Sequence, residues 1–275
     1  MKKVTIIGLG WVGLPLAQAL LAKGVQVVGT KTTPDGIEAA RSVGIECYSL
    51  KLTPELECDT DDLTQLMEGS DAITILLPPS KVNVEHYVSA IETLVNSAII
   101  FKVPKVIFTS STAVYGEQNG EMKEDSPLEG VTASAQALID AENWLHQLPN
   151  ISVDILRLAG LVGEKRHAGR FLAGKTGVKG AMQPVNMVHQ DDVIEAILAL
   201  LNQPEGGHIY NLCAPIHPTR QAFYTQAAKS LGLAPPEFID SVNEPEGKVI
   251  NGNRICQDIG FEYQYPNPNS MLMTI

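Results

Sequence analysis

Short apolar runs alternate along this chain with segments in which apolar residues recur at helical spacing. The apolar runs predict strands at residues 4–7, 25–28, 45–50, 72–77, 106–109 and 151–158. The helical spacing predicts helices at residues 11–21, 37–43, 61–67, 84–101 and 133–148. Because the strand segments are continuously apolar, we expect parallel strands covered by helices on both faces. The pattern therefore predicts an α/β fold, a Rossmann doubly wound parallel sheet.

The regular alternation weakens after residue 160, where Gly- and Pro-containing loops separate shorter elements. We interpret residues 1–160 as the Rossmann core and residues 161–275 as mainly a smaller substrate-binding lobe. A chain of 275 residues that is 44% hydrophobic is long enough to bury the core of both parts.

Charge and cysteine content exclude several classes of function. The net charge of −11 argues against a nucleic-acid partner or an anionic membrane surface, since both require clustered Lys and Arg. The four cysteines lack C-x-x-C spacing and nearby histidine pairs, which argues against a zinc site and against a disulfide framework. The sequence thus predicts reduced thiols in a cytoplasmic protein, with no metal site.

The N-terminal segment resembles a secretory signal, because basic residues precede an apolar stretch and Ala17-Gln18-Ala19 imitates a cleavage site. The stretch is interrupted by three glycines and Pro15, and no later segment has the roughly 18 consecutive apolar residues of a membrane span. We therefore interpret residues 4–7 as the first strand of the fold.

A glycine-rich motif lies between the first predicted strand and the first predicted helix. It consists of Gly8, Leu9, Gly10, Trp11, Val12 and Gly13. The first glycine permits a tight turn, the second allows the backbone to approach a pyrophosphate, and the third allows close packing of helix and strand. This G-x-G-x-x-G in its strand–turn–helix context predicts a dinucleotide site at Gly8, Gly10, Trp11, Val12 and Gly13.

The end of the second strand favours NADP over NAD. An NAD site places an acid there, whereas this chain has Thr30, Lys31 and Thr32, and no carboxylate before Asp35. Lys31 and the threonine hydroxyls can bind a 2′-phosphate, at about 1.5–3 kcal/mol for each charge-assisted bond. The alternative is that Lys31 is only an exposed loop lysine. We also expect Leu77 and Pro78 to line the path from adenosine to nicotinamide.

Residues 106–116, VIFTSSTAVYG, resemble the signature of the extended short-chain dehydrogenase/reductases, in particular the nucleotide-sugar epimerases and dehydratases. Segments 155–163, 185–193 and 207–212 resemble later motifs of those enzymes in the expected order. The resemblance implies that residues 185–212 return to the core, that Ser111 orients the substrate and that Ser110 contacts the cofactor.

The tyrosine–lysine pair of these enzymes is missing, since no tyrosine in the chain is followed four residues later by lysine. If Glu142 is the glutamate of that helix, Ser134 occupies the tyrosine position and Leu138 the lysine position. Ser111 and Tyr115 are then the remaining catalytic candidates. For Tyr115 the alternative is a role in packing and substrate contact.

Other polar residues have structural interpretations as well as functional ones. His189 has a suitable pKa for acid–base work, but the resemblance favours a structural role. Asp191 and Asp192 at a predicted helix start are interpreted as capping residues rather than metal ligands. A basic loop contains Arg166, His167, Arg170 and Lys175, and it either binds an acidic substrate or is simply solvated.

Two functions remain open. The first is an NADP-dependent epimerase/dehydratase-like oxidoreductase with a nonstandard acid/base group, acting on a small molecule that the sequence does not identify. The second is a non-catalytic NADP-binding sensor or regulatory protein. The sequence leaves the oligomeric state open.

Overall fold

A computed structural model describes residues 1–52, 54–149, 151–239 and 246–275. The strands are β1 (Lys3–Ile7), β2 (Gln26–Lys31), β3 (Glu46–Ser49), β4 (Lys51–Leu52), β5 (Leu56–Glu57), β6 (Ala72–Ile75), β7 (Lys105–Ser111), β8 (Gly120–Met122), β9 (Ser152–Leu158), β10 (Gly160–Val162), β11 (Met187–His189), β12 (Ile209–Leu212) and β13 (Lys248–Ile250). The α-helices are α1 (Gly13–Ala22), α2 (Pro34–Ser42), α3 (Thr60–Met67), α4 (Tyr87–Ile100), α5 (Ala133–His146), α6 (Gly169–Leu172), α7 (Gln190–Asn202), α8 (Arg220–Ser230) and α9 (Arg254–Ile259). Short 3-10 helices lie at Val84–His86, Thr112–Tyr115 and Pro268–Ser270.

The main sheet has seven strands in the order β12-β9-β7-β6-β1-β2-β3. Strand β1 pairs in parallel with both β2 and β6, and the pairs β2–β3 and β6–β7 are also parallel. From β1 the chain proceeds to β2 and β3 on one side and later to β6 and β7 on the other. The prediction of a doubly wound parallel sheet is confirmed, and the strand order reverses between β1 and β6. Ligands of such folds bind at the carboxyl ends of the strands flanking that point.

The chain divides into two compact units. The first contains Met1–Val114, Gly130–Leu156 and Ala196–Ile209. The second contains Tyr115–Glu129, Arg157–Glu195 and Tyr210–Ile275. This division differs from the boundaries expected from sequence, because residues 115–129 belong to the second unit and only part of 185–212 belongs to the first.

The first unit contains elements whose limits follow from local chemistry. Strand β1 buries Val4, Ile6 and Ile7 completely, which explains its continuous apolar pattern. Helix α2 begins where the Thr33 side chain accepts a hydrogen bond from the Gly36 N–H.

The segment predicted as a single helix at 84–101 instead starts with a 3-10 turn, and α4 proper runs from Tyr87 to Ile100. The 72–77 run ends as a strand at Ile75, shortly before Pro78 and Pro79, which cannot donate ladder hydrogen bonds. No helix in the described residues has both the length and the apolar character needed to span a bilayer.

The second unit has its own apolar cluster and a set of polar contacts that hold its C-terminal segment. The cluster is formed by Val162, Ala168, Val185, Met187, Ala214, Phe223, Ala227 and Met271. Asp192, near the start of α7, is buried and accepts hydrogen bonds from the N–H groups of Gln264 (2.7 Å) and Tyr265 (3.2 Å). The His189 ring stacks on Tyr265 at 3.9 Å, and its Nε2 lies 2.7 Å from the Leu272 carbonyl. Asp192 and His189 therefore secure the C-terminal segment.

Candidate cofactor site and active site

The glycine turn after β1 is fixed by hydrogen bonds to the end of β2. Gly8 has a φ of 104°, in the region that favours glycine. Its N–H donates to the Thr30 hydroxyl at 2.9 Å, and the Leu9 N–H donates to the Thr30 carbonyl at 2.9 Å. Thr30 is 2% exposed, so its observed role is to hold the turn. Whether Thr30 also contacts a cofactor stays a prediction.

The other two glycines of the motif face different surroundings. A methyl group on Gly13 would lie 2.1 Å from the Gly8 carbonyl oxygen, so the close approach of α1 to β1 requires glycine. A methyl group on Gly10 would meet nothing within 4 Å, so the backbone at Gly10 is open to an approaching ligand.

The start of α1 is suited to an anion. Its first turn has no acidic residue, and the N-cap residue Val12 makes no side-chain capping hydrogen bond. Backbone N–H groups at an uncapped helix start attract negative charge, and phosphates bind there in many proteins. The turn and α1 together fit the pyrophosphate of a dinucleotide.

Leu77 forms the facing side of this crevice. A methyl group on Gly8 would lie 3.3 Å from Leu77 Cδ2, so the structure brings these two predicted site residues together. The Leu77 carbonyl accepts a hydrogen bond of 2.7 Å from the Tyr87 phenol at the start of α4. Burial raises the pKa of Tyr87, so this phenol keeps its proton. Tyr87 thus positions the segment containing Leu77 and Pro78, a function that sequence inspection did not reveal.

Ser110 has a buried hydroxyl that makes no hydrogen bond within the described residues. It is 5% exposed, whereas its neighbour Thr109 donates to the Ile75 carbonyl at 3.0 Å. Ile75 pairs with Phe108 in the sheet, and Ser110 follows Phe108 by two residues near the end of β7. A buried hydroxyl without a partner costs about 1–3 kcal/mol. Whether Ser110 contacts a cofactor stays a prediction.

Lys31 is the last residue of β2. Its stem packs on α2, since a methyl group on Gly36 would lie 3.3 Å from Lys31 Cδ. Thr32, the next residue, lines a cavity of about 350 Å³. In Rossmann folds the adenosine ribose binds near the end of the second strand, and contact of Lys31 and Thr32 with a cofactor stays a prediction.

Ser111 and α5 occupy the positions of the expected acid/base machinery. The Ser111 hydroxyl is half-buried and accepts a hydrogen bond from the Ala113 N–H at 3.2 Å. On α5, Ser134 is half-buried and Leu138 is buried at 5% exposure. These two residues lie one turn apart on the same side of the helix, as the tyrosine and lysine do in the resembling enzymes. Neither side chain can supply a phenolate or an ammonium.

Tyr115 lies in the second unit and is fully buried. Its phenol donates to Asn211 Oδ1 at 2.7 Å and accepts from Arg157 Nη1 at 2.8 Å. The Arg157 guanidinium carbon is 5.2 Å from the centre of the Tyr115 ring, and Nη1 also donates to the Glu124 carbonyl at 3.0 Å. Burial raises the pKa of Tyr115, while Arg157 opposes that shift. This geometry gives Tyr115 a structural role, and its participation in catalysis remains untested.

The basic loop divides into structural and exposed residues. His167 is buried, its Nδ1 accepts from the Gly169 N–H at 3.0 Å, and burial lowers its pKa. Arg170 and Lys175 are exposed. Within the described residues no group of three or more His, Cys, Asp and Glu side chains is arranged to hold a metal ion.

Comparison with known proteins finds similar sequences and structures. A model of the NAD dependent epimerase/dehydratase family matches residues 4–213. Protein YeeZ of Escherichia coli (strain K12) is 56% identical over 270 residues, which cover 98% of each chain.

Solved structures show the same fold. A functionally unknown conserved protein from Silicibacter pomeroyi DSS is 26% identical, with a TM-score of 0.76 over 98% of this chain and 96% of that one. UDP-glucuronic acid 4-epimerase from Bacillus cereus, solved in complex with NAD, is 19% identical, with a TM-score of 0.79 over 97% of this chain and 93% of that one.

Proposed function

The chain belongs to the NAD dependent epimerase/dehydratase family, and from that premise we propose that it is an NADP-dependent oxidoreductase of epimerase or dehydratase type that lacks the tyrosine–lysine pair. The observation that carries the proposal is the crevice formed by the glycine turn, the uncapped start of α1 and Leu77. The Ser110 hydroxyl near the end of β7, buried and without a hydrogen-bond partner among the described residues, supports it.

The preference for NADP rests on the end of β2. Lys31 provides a positive charge where an NAD site needs a carboxylate, and residues 29–33 contain no acid. A charge-assisted bond of about 1.5–3 kcal/mol corresponds to about a tenfold or greater preference in affinity. A carboxylate at this position would repel a 2′-phosphate, because both groups are negatively charged.

The chemistry available to the residues of this chain is limited. When bound, a nicotinamide dinucleotide supplies hydride transfer. Ser111 can orient a substrate hydroxyl or carbonyl by hydrogen bonding, but a serine hydroxyl is a poor base at neutral pH. Because α5 provides neither phenol nor ammonium, we propose that a group on the substrate or a water molecule beside Ser111 accepts the proton.

Titration calorimetry with NADPH and NADH tests the cofactor assignment. We expect the wild type to bind NADPH at least about tenfold more tightly, and Lys31→Glu to lose that preference. Lys23→Glu is the matched control, because Lys23 is exposed and follows the opposite end of α1. Absence of heat with either dinucleotide would refute the proposal, and unchanged NADPH affinity in Lys31→Glu would refute the NADP preference.

Turnover tests the catalytic part. We expect a change in the absorbance of the reduced nicotinamide with at least one member of a panel of carbonyl compounds, alcohols and sugar nucleotides. Ser111→Ala should lower that turnover while leaving dinucleotide affinity unchanged.

The second candidate is a non-catalytic NADP-binding sensor or regulatory protein, and it is favoured by Leu138 in the lysine position. Tight NADPH binding without turnover on the full panel would support this function over the first. For either function we propose a cytoplasmic location, because the four cysteines are free thiols, which a reducing compartment maintains.

A further inference from the structure

The seven methionines of the chain differ in how easily an oxidant in solution can reach them. Met1 and Met182 are exposed, at 48% and 74%, and neither sulfur makes a hydrogen bond within the described residues. Met273 is half-buried. The other four are buried, at 0–5% exposure, and are Met67, Met122, Met187 and Met271.

The sulfur of Met273 also takes part in the structure of the second unit. It accepts a hydrogen bond from the Ala168 N–H at 3.5 Å. Ala168 is completely buried and is the N-cap residue of α6, so its N–H has no partner within that helix. The Met273 side chain packs against the apolar cluster of this unit. Met273 is therefore the methionine that is both reachable by an oxidant and engaged through its sulfur.

Thr274, the next residue, attaches to the same loop. Its N–H donates to the Gly163 carbonyl at 3.3 Å, and its hydroxyl accepts from the Lys165 N–H at 3.0 Å. With the sulfur contact, segment 273–274 is thus attached to loop 163–168 at three points. All of these residues belong to the second unit.

The cysteines compete weakly for a peroxide. Burial raises the pKa of each of the four thiols, whereas the thiolate is the form that reacts. A thioether has no proton to lose, so access to solvent controls its oxidation. A half-buried thioether is therefore a favourable target in a chain whose thiols stay protonated.

We propose that Met273 is a reversible oxidation site whose modification by a peroxide loosens loop 163–168. The sulfur lone pair attacks one oxygen of hydrogen peroxide, the O–O bond breaks, and the sulfur is oxidised by two electrons. The hydroxide that leaves takes up the proton of the transferred oxygen and becomes water. The product is a polar sulfoxide, which is poorly suited to an apolar cluster and displaces the sulfur from the Ala168 N–H. This modification goes beyond the proposed dinucleotide function.

Hydrogen peroxide titration with peptide mapping tests the order of oxidation. Met1 and Met182 should be modified first, Met273 next, and the four buried methionines only when the protein unfolds. The thermal midpoint should stay constant during the first stage and fall by about 2–4 °C as the Met273 sulfoxide forms. The two methionine sulfoxide reductases should restore the midpoint, whereas dithiothreitol should not.

Met273→Leu keeps an apolar side chain of similar volume and removes the sulfur. Compared with its own untreated sample, this variant should show no fall in thermal midpoint after peroxide treatment. Met182→Leu is the matched control and should respond as the wild type does.

An unchanged wild-type midpoint after Met273 is modified would overturn the proposal. The same fall in Met273→Leu, or a Met273 that stays unmodified until the protein unfolds, would also overturn it. These measurements need neither a bound dinucleotide nor turnover, so failure of the proposed function would leave their result unaffected.

Discussion

Replacing Tyr115 by phenylalanine separates a structural role for this residue from a catalytic one. The change removes a single hydroxyl and leaves the buried ring in place. If the phenol only supports the second unit, Tyr115→Phe should lose stability and keep cofactor affinity.

The expected loss follows from the bonds that the hydroxyl makes. Its bond to Asn211 is a neutral one, and its bond from Arg157 involves a charged donor. A neutral bond contributes about 1 kcal/mol and a charged one about 1.5–3 kcal/mol. Because Arg157 keeps its bond to the Glu124 carbonyl, we expect a total loss of about 2–4 kcal/mol in the free energy of unfolding.

Urea denaturation followed by tryptophan fluorescence measures this loss. Tyr48→Phe is the control, because its phenol donates to Glu46 at the exposed edge of the sheet, and we expect a change within about 0.5 kcal/mol. Wild-type stability of Tyr115→Phe together with lost turnover would refute a purely structural role. That result would mean that the phenol takes part in catalysis.

Four further substitutions test other parts of the molecule. Gly10→Ala should fold normally but lose NADPH binding in calorimetry, whereas Gly13→Ala should also lower the thermal midpoint, because its methyl group would meet the Gly8 carbonyl at 2.1 Å. Asp192→Asn should lower the free energy of unfolding by about 1–3 kcal/mol in urea, because an amide cannot accept both backbone N–H bonds. Burial raises the pKa of Asp154 in the folded protein, so the stability that Asp154 contributes should fall as pH rises from the unfolded value near 3.9 towards the folded one. Asp154→Asn should reduce the dependence of the thermal midpoint on pH. Parallel profiles of thermal midpoint against pH for the wild type and the variant would contradict this prediction.

Local sequence patterns were sufficient for the elements of the first unit. Strands β1, β6 and β7 are buried on both faces, so their apolar runs are continuous and easy to recognise. The glycine turn was predictable for a related reason. Its closest requirement is local, since Gly13 is constrained by the Gly8 carbonyl of the same motif.

Contacts between distant residues were not predictable in the same way. Tyr115 meets Arg157 and Asn211 across 42 and 96 positions of sequence. Asp192 accepts a hydrogen bond from the N–H of a residue 72 positions later. Its position at a helix start indicated a capping role but did not indicate this long-range contact. Thr30 was predicted as a cofactor contact, which stays a prediction, but its hydrogen bond to a backbone N–H 22 positions earlier was not predicted. A single sequence contains no signal for such pairs, because neither partner has an unusual local pattern.

The cofactor half and the proton-transfer half of this family's site depend on different features of the chain. The cofactor half is built from backbone: a turn, a helix start and strand ends, all of which are present here. The proton-transfer half depends on two side chains of one helix; taking Glu142 as the glutamate of that helix, the predicted lysine position is Leu138 of α5, buried at 5% exposure. A lysine at that position would have to desolvate its ammonium, which is costly without a partner, so the apolar residue favours the folded state when no ligand is bound. Family membership therefore predicts dinucleotide binding for this chain, while its acid–base chemistry has to be established from Ser111 and the substrate.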